Sequence, residues 1–470
     1  MVCPGDAPYE SYCSDPVLKG SPEMIFRANN VQEVRDILLY CNREKLPVTF
    51  CGSQTSLTGS SVAENGLLMS TEKMDRILDI SDKGKRPTAT VEPGILLADF
   101  QDRLMREFGL FYPPDPTSRK EARLGGTVAT NATGEDSFLY GSTRCHVRAL
   151  KMLFPDGSEK HFERSDGFRA PLEKNRAGYF LHGDPLDWFI GSEGTLGFIT
   201  EITVDLEKNP PGYFSLIVFF PSLASALTFV AQARRNSCVS PRCLELLDHR
   251  CLDIIRNHPA SFSIPPEADT AIYLKQNFFN DSEKHSYLSS WLEQIKTILR
   301  ESDSIHLLDD TVMAEDESKK DVLRDLRHFV PASINEKANV LRRNGGGKIG
   351  TDWWVPSDFI QKALDLALAE SRASGIPCYL FGHIGNGHPH LEYLVSSNKE
   401  KEVVEQIILK QCNRAVSWGG GVAGEHGLGK IKKHLLPIQH SANIIRRMTK
   451  IKQQFDPHWV LGRNNIFAPP

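Results

Sequence analysis

Apolar residues recur at helical spacing from Val31, with Val34, Ile37, Leu38 and Cys41 on the same face. Asn30 stands just before this face and Glu33 three residues after Asn30, which predicts a capped helix start. A short β-branched run, Leu46 to Phe50, then predicts a strand that runs into a loop of small and hydroxylated residues, Gly52 to Gly59. Ala89 to Glu92 reads as a further strand. After the turn Pro93-Gly94, Leu96, Leu97, Phe100, Leu104 and Phe108 mark a helix that Gly109 stops. The stretch Ser215 to Ala233 has no charge, yet it divides into a strand (Leu216 to Phe220), a break (Pro221-Ser222) and a helical face of Leu223, Ala226, Leu227, Val230 and Ala231. It is therefore expected to be buried protein and not a membrane span.

At 470 residues the chain exceeds one ordinary core, so two or three packed units are expected. Hydrophobic content of 40% and charged content of 24% fit a soluble globular protein. A net charge of -4 and a pI near 6.4 give no broad basic surface for nucleic acid. Met1 to Pro16 carries neither a basic patch nor a long apolar run, so a cytoplasmic address is expected, with peripheral contact at the inner membrane face left open. The ten cysteines include no C-x-x-C pair, which argues for reduced, mostly buried thiols and against a cluster or zinc ribbon.

A small polar loop after a strand is ordinarily only a turn. Here it heads a series: Tyr112 to Ser118, Gly125 to Ala132, Tyr140-Gly141-Ser142 and Gly191 to Gly197. Several such loops from one framework let backbone N–H groups wrap an extended, phosphate-bearing ligand. There is no G-x-G-x-x-G fingerprint in a fitting place, and Gly345-Gly346-Gly347 reads as a hairpin between Arg343 and Lys348, before an expected strand Thr351 to Val355.

The second half holds a histidine-rich segment, Phe381 to Leu394. Gly385 and Gly387 bend the chain between His383 and His390, and a strand past the bend would put His388, His390 and Glu392 on one face. Imidazoles beside a carboxylate suit zinc or a similar divalent metal, although strand histidines on a surface are often merely solvated. Gly419 to Lys430 adds an acid-histidine pair, Glu425-His426, among glycines that allow close approach.

In order and spacing, PVTFCGSQTSLTG, YPPDPTS, LGGTVATNATGEDSFLYGSTRCHV, KNRAGY and GSEGTLGFITEI resemble the FAD-binding domain of the vanillyl-alcohol-oxidase (PCMH-type) superfamily. The likeness is strongest to its branch of D-lactate dehydrogenases, glycolate oxidase large subunits and D-2-hydroxyglutarate dehydrogenases. It implies an α+β fold: an N-terminal arm (1–21), an FAD-binding domain of two α+β subdomains (22–205), an α+β substrate or cap domain (206–440) and a C-terminal segment (441–470) returning to the FAD domain.

By the same resemblance, Gly52, Ser53, Gln54, Thr55, Ser56, Leu57 and Gly59 meet the diphosphate, and Pro114, Thr117 and Ser118 lie near the ribityl chain and flavin. Gly125, Gly126, Thr127, Asn131, Ala132, Tyr140 and Gly141 line flavin or diphosphate, and Gly194 to Ile199 cover the adenosine end. Cys51, Ser53 and Gln54 stand where relatives carry Arg and two Gly. No histidine lies in this loop, so the FAD is expected to be non-covalent. His383, His390 and Glu425 become ligands of a divalent metal, zinc by ligand type, and His426 the base. Arg327 and, after it, Lys348 are the cations for a substrate carboxylate.

What this implies is oxidation of a D-2-hydroxy acid, lactate- or glycolate-like, to the 2-keto acid by hydride transfer to flavin N5 with metal-assisted loss of the hydroxyl proton. A separate quinone, electron-transfer flavoprotein, cytochrome or iron–sulfur subunit would take the electrons. Asn386, His388 and Glu392 depart from the relatives' pattern, and Glu392, unless it binds the metal or a nearby cation, argues against a dicarboxylic substrate. The competing readings are an oxidase or synthase of the same superfamily acting on a non-acid alcohol, a non-catalytic FAD subunit of a larger complex, and a metal-dependent hydrolase.

Overall fold

Asn30 Oδ1 accepts the Glu33 amide at 3.0 Å, and the Glu33 carboxylate accepts the Asn29 amide at 3.0 Å, so the helix Val31–Glu44 starts at a reciprocal cap. Its buried residues Val34, Leu38 and Cys41 pack with Val48, Leu67 and Met69 of a three-stranded parallel sheet. In that sheet Leu67–Ser70 runs between Met24–Arg27 and Val48–Cys51. The expected strand Leu46 to Phe50 is thus shifted to Val48–Cys51. Pro47, which has no N–H, stays outside it, and the Val48 amide is taken by Val460 O at 2.7 Å.

The computed structural model describes residues 1–165, 174–258 and 262–469. They divide into two compact units. The first comprises Met1–Gly134, Tyr140–Asn209 and Ala423–Pro470. Besides the parallel sheet it holds a five-stranded antiparallel sheet in the order Ile77–Ser81, Thr88–Val91, Phe198–Asp205, Val147–Leu153, Glu159–Glu163. The burial of Phe198–Asp205 alternates strictly, as expected for a strand with one face to the core. The helix Leu97–Phe108 ends on Gly109 in the left-handed region (φ 63°).

The second unit is Pro210–Val422 with the excursion Glu135–Leu139. Its seven-stranded antiparallel sheet runs Val312–Ala314, Gly212–Phe220, Thr270–Phe278, Pro241–Asp248, Cys378–His383, His388–Val395, Gly347–Gly350. All eight residues of Pro241–Asp248 are buried, which is why a charged residue within it, Glu245, must find partners. The long helix Glu317–Arg342 sets Leu323, Leu326, Val330 and Ile334 into this core. Asp136 anchors the excursion, at 3.0 Å from Lys275 and 3.4 Å from Arg242.

Three local expectations change. The strand expected at Thr351 to Val355 is Gly347–Gly350, and the residues after it run as irregular backbone with a bridge between Trp354 and Gly421. The glycines Gly345 to Gly347 are no hairpin: they carry the chain from the end of the helix into that strand. In the helix Leu223–Arg235 the buried face uses Phe229 and Ala233, while Ala231 is exposed. All ten cysteines are free thiols, six of them buried. Among the described residues no helix is long and apolar enough to cross a membrane.

Candidate functional site

Within the first unit, the loop after Val48–Cys51 and the segments around Pro116, Gly125 and Gly194 enclose a cavity of about 400 Å³. It brings together Gly52, Ser53, Gln54, Thr55, Ser56, Leu57, Thr117, Ser118, Gly125, Gly126, Thr127, Ala132, Gly194 and Ile199, and its wall includes Glu425 and His426. Gly59, Pro114, Asn131, Tyr140 and Gly141 do not line it. Instead Gly59 N donates to Asp15 at 2.9 Å, Pro114 O accepts Gln101 Nε2 at 2.8 Å, and Tyr140 O accepts His146 Nε2 at 3.0 Å. Asn131 ends the helix Leu124–Thr130 in the left-handed region and accepts the Arg144 amide at 2.9 Å.

The departure at Gln54 has a structural use. Its backbone is left-handed (φ 53°), and its amide donates to Tyr12 O at 2.9 Å and Ser61 O at 3.1 Å, closing the loop without a glycine there. A Cβ added at Gly126 would meet nothing within 4 Å, so the cavity reaches the backbone at that point. Ser61 Oγ, Thr133 Oγ1 and Arg123 Nε, all from cavity-lining residues, are buried polar atoms with no hydrogen-bond partner among the described residues. The open backbone at Gly126 and the hydroxyl-bearing wall of Ser53, Thr55, Ser56, Thr117, Ser118 and Thr127 fit a ligand rich in hydroxyls and phosphates, as FAD is.

Glu193 also lines the cavity and was not singled out in the sequence. Burial pushes its carboxyl up to about 7, against the lowering effect of the Leu428 and Gly429 amides and of Lys430.

In the second unit the strands Cys378–His383 and His388–Val395 bring His383, His388 and His390 together, each offering a ring nitrogen within 4.8 Å of the others. All three are buried, at 4%, 0% and 8% exposure, so these are not solvated surface histidines. Gly382 makes the cluster fit: its φ is 106°, and an added Cβ would stand 2.4 Å from the His390 ring. Gly387 closes the bend with φ 68°.

Carboxylates brace two of the rings. His383 Nδ1 donates to Glu245 Oε1 at 2.6 Å, which makes Nε2 the nitrogen His383 can present to a metal. His388 Nε2 lies 3.2 Å from Asp352 Oδ1. Burial alone would push Glu245 up, but His383 and Arg327 hold it down at about 2. Nitrogen donors with carboxylate braces suit a divalent transition metal.

Arg327, on the helix Glu317–Arg342, is buried and its Nη2 donates to Glu245 Oε2 at 2.8 Å. Lys348 lies 3.4 Å from Glu392 Oε1, whose other oxygen has no partner among the described residues. Sequence reasoning missed the bracing roles of Glu245 and Asp352. For Glu245 the available signal was a lone acid inside the apolar run Cys243 to Leu247.

Two family models match the chain: an FAD binding domain over residues 22–163 and the C-terminal domain of FAD linked oxidases over residues 214–466. Similar proteins include glycolate oxidase subunit GlcD of Bacillus subtilis (29% identity, 97% of this chain and 92% of that protein). They also include D-lactate dehydrogenase of Anaerostipes hadrus (29%, 99% and 94%) and D-2-hydroxyglutarate dehydrogenase of Stutzerimonas stutzeri (26%, 95% and 91%). A solved structure of alkyldihydroxyacetonephosphate synthase aligns with TM-score 0.68 at 16% identity, covering 94% of this chain and 76% of the other, a likeness of fold. With its C-terminal model alone spanning more than half the sequence, the chain belongs to the FAD-linked oxidases, an oxidoreductase family.

Proposed function

We propose that this protein is a dehydrogenase of a D-2-hydroxy acid, lactate- or glycolate-like, that uses a non-covalent FAD and a divalent metal, zinc by donor type, which would lower the pKa of the substrate hydroxyl. The observation that carries this reading is the buried histidine cluster with its Glu245 and Asp352 braces, in a chain whose other unit has a cavity lined by the glycine and hydroxyl loops expected to hold FAD. Relatives named for oxidation of three different 2-hydroxy acids support it. FAD, when bound, supplies the two-electron acceptor, and the metal supplies the charge that lowers the hydroxyl pKa.

The chain's own residues divide the remaining work. His383 and His390 are the metal-binding histidines, and the family resemblance adds Glu425. His388, braced by Asp352, backs them. His426, in the cavity wall, takes the hydroxyl proton. Arg327, and after it Lys348, are the cations proposed for the substrate carboxylate, each already carrying a carboxylate of the chain, Glu245 on Arg327 and Glu392 on Lys348. We assign residues 22–205 and 441–470 to FAD and 206–440 to the substrate, and reoxidation of the flavin to a separate electron carrier.

The Lys348–Glu392 pair favours a monocarboxylate. A second substrate carboxylate would need a cation there, and Glu392 neutralises it. With an artificial electron acceptor, kcat/KM for D-lactate or glycolate is expected to exceed that for D-2-hydroxyglutarate by about tenfold or more. Glu392→Gln should narrow the ratio by about tenfold, a change near 1.4 kcal/mol. Turnover of none of the three acids contradicts the proposed function; a ratio unmoved by Glu392→Gln contradicts only the specificity argument. Acid precipitation should leave the yellow colour in the supernatant. Colour in the pellet would mean a covalent flavin.

A further inference from the structure

We infer that Glu193 is a positioning residue that acts through the backbone of Gly427 to Gly429 to hold His426 in the cavity wall, an inference that rests on the proposed role of His426. Glu193 Oε1 accepts the Leu428 amide at 2.9 Å and Oε2 accepts the Gly429 amide at 2.7 Å. These are charge-assisted bonds from successive amides, two and three residues past His426, and each uses one oxygen. Such a fork fixes the direction of the chain, not merely its distance.

The fit on both sides of this turn is tight. Gly427 (φ 76°) comes so close that an added Cβ would stand 2.7 Å from Glu193 Oε1. On the other side a Cβ at Gly429 (φ 50°) would stand 2.2 Å from Thr58 O, in the loop that begins the cavity. The Lys430 amide donates to Thr58 O at 2.9 Å, and the Ile466 amide to Gly429 O at 3.0 Å. Glu193 is itself held: its backbone carbonyl accepts Asn465 Nδ2 at 2.8 Å, and the same nitrogen donates to Ser60 O at 2.8 Å. Asn465 Oδ1 accepts Lys430 Nζ at 2.9 Å.

Glu193 reaches this place in a left-handed backbone conformation (φ 52°) that a glutamate adopts only when its surroundings impose it. A carboxylate is the one side chain of this length that offers two acceptors. Glutamine would turn an N–H₂ toward one of the two amides at unchanged volume.

Glu193→Gln in the FAD-loaded chain at pH 8 therefore separates positioning from packing. The expected result is full FAD content, a limiting rate of flavin reduction by the hydroxy acid lowered about tenfold or more, and KM within about twofold of the parent. Amide hydrogen exchange at Leu428 and Gly429 should quicken about tenfold. A limiting rate within twofold of the parent, unchanged exchange, or loss of FAD overturns the inference. Should Glu193→Gln fail to fold, Glu193→Asp, too short to reach both amides, is read by the same measurements with the same outcomes deciding. If the parent itself is reduced by no 2-hydroxy acid, the proposed function fails by itself, and the exchange of Leu428 and Gly429 alone decides whether Glu193 holds the turn.

Discussion

Replacing His390 with alanine is expected to slow reduction of the flavin by a 2-hydroxy acid about 10³-fold or more while FAD stays bound. The size follows from chemistry: a metal that stabilises a developing alkoxide contributes several kcal/mol, and about 4 kcal/mol is a factor of about 10³. His390 stands with its ring centroid 4.7 Å from that of His388 and 5.3 Å from that of His383, so its removal takes one of three clustered imidazoles. Retention of FAD follows from location. The cavity is lined wholly by residues of the first unit, whereas His390 belongs to the second. Stopped-flow absorbance with flavin content measured alongside checks both parts. Loss of FAD would show that the cofactor and the histidines are not separable, and an unchanged rate would remove His390 from the chemistry.

Glu245→Ala should act on stability and on metal affinity together. Glu245 lies between His383 Nδ1 and Arg327 Nη2, with 2% of its side chain exposed. Removing it leaves the Arg327 guanidinium buried without this counter-charge, a change that typically costs about 3–5 kcal/mol. It also removes the brace that sets the His383 ring, typically worth about 10–100-fold in metal affinity. Glu245→Gln keeps the shape and one acceptor and should fall between the two. Urea denaturation and metal content per chain are the measurements. Full stability with full metal content in the alanine variant would mean that Glu245 braces nothing.

Much of the framework was legible because local chemistry and burial agreed. The Asn30 cap and the spacing of Val34, Leu38 and Cys41 mark a helix that has only one apolar face to bury. The sheet edge near Gly347 was hidden for the opposite reason. Gly347–Gly350 is a strand by pairing, Gly347 with Val395 and Gly350 with Glu392, although glycines have low strand propensity. Gly350 is needed there because a Cβ would stand 2.8 Å from the Glu392 carboxylate. The nearby run of Thr351 to Val355, with its tryptophans, looked the better strand because large apolar residues mark burial, not pairing.

The site shows the same division. His383, His388 and His390 announced themselves through glycines that bend the chain between them. Their braces did not, because Glu245 and Asp352 lie 138 and 36 residues from the rings they orient. Glu193 lies still farther from its amides, by 235 and 236 residues, and only the closed turn reveals it.

The most direct test of the account is anaerobic mixing of FAD-loaded, metal-replete protein with D- and L-2-hydroxy acids while the flavin absorbance is followed. Bleaching by a D-2-hydroxy monocarboxylate, lost on chelation of the metal and restored by adding zinc, is the predicted result. A flavin that stays oxidised with every acid in the panel would contradict it.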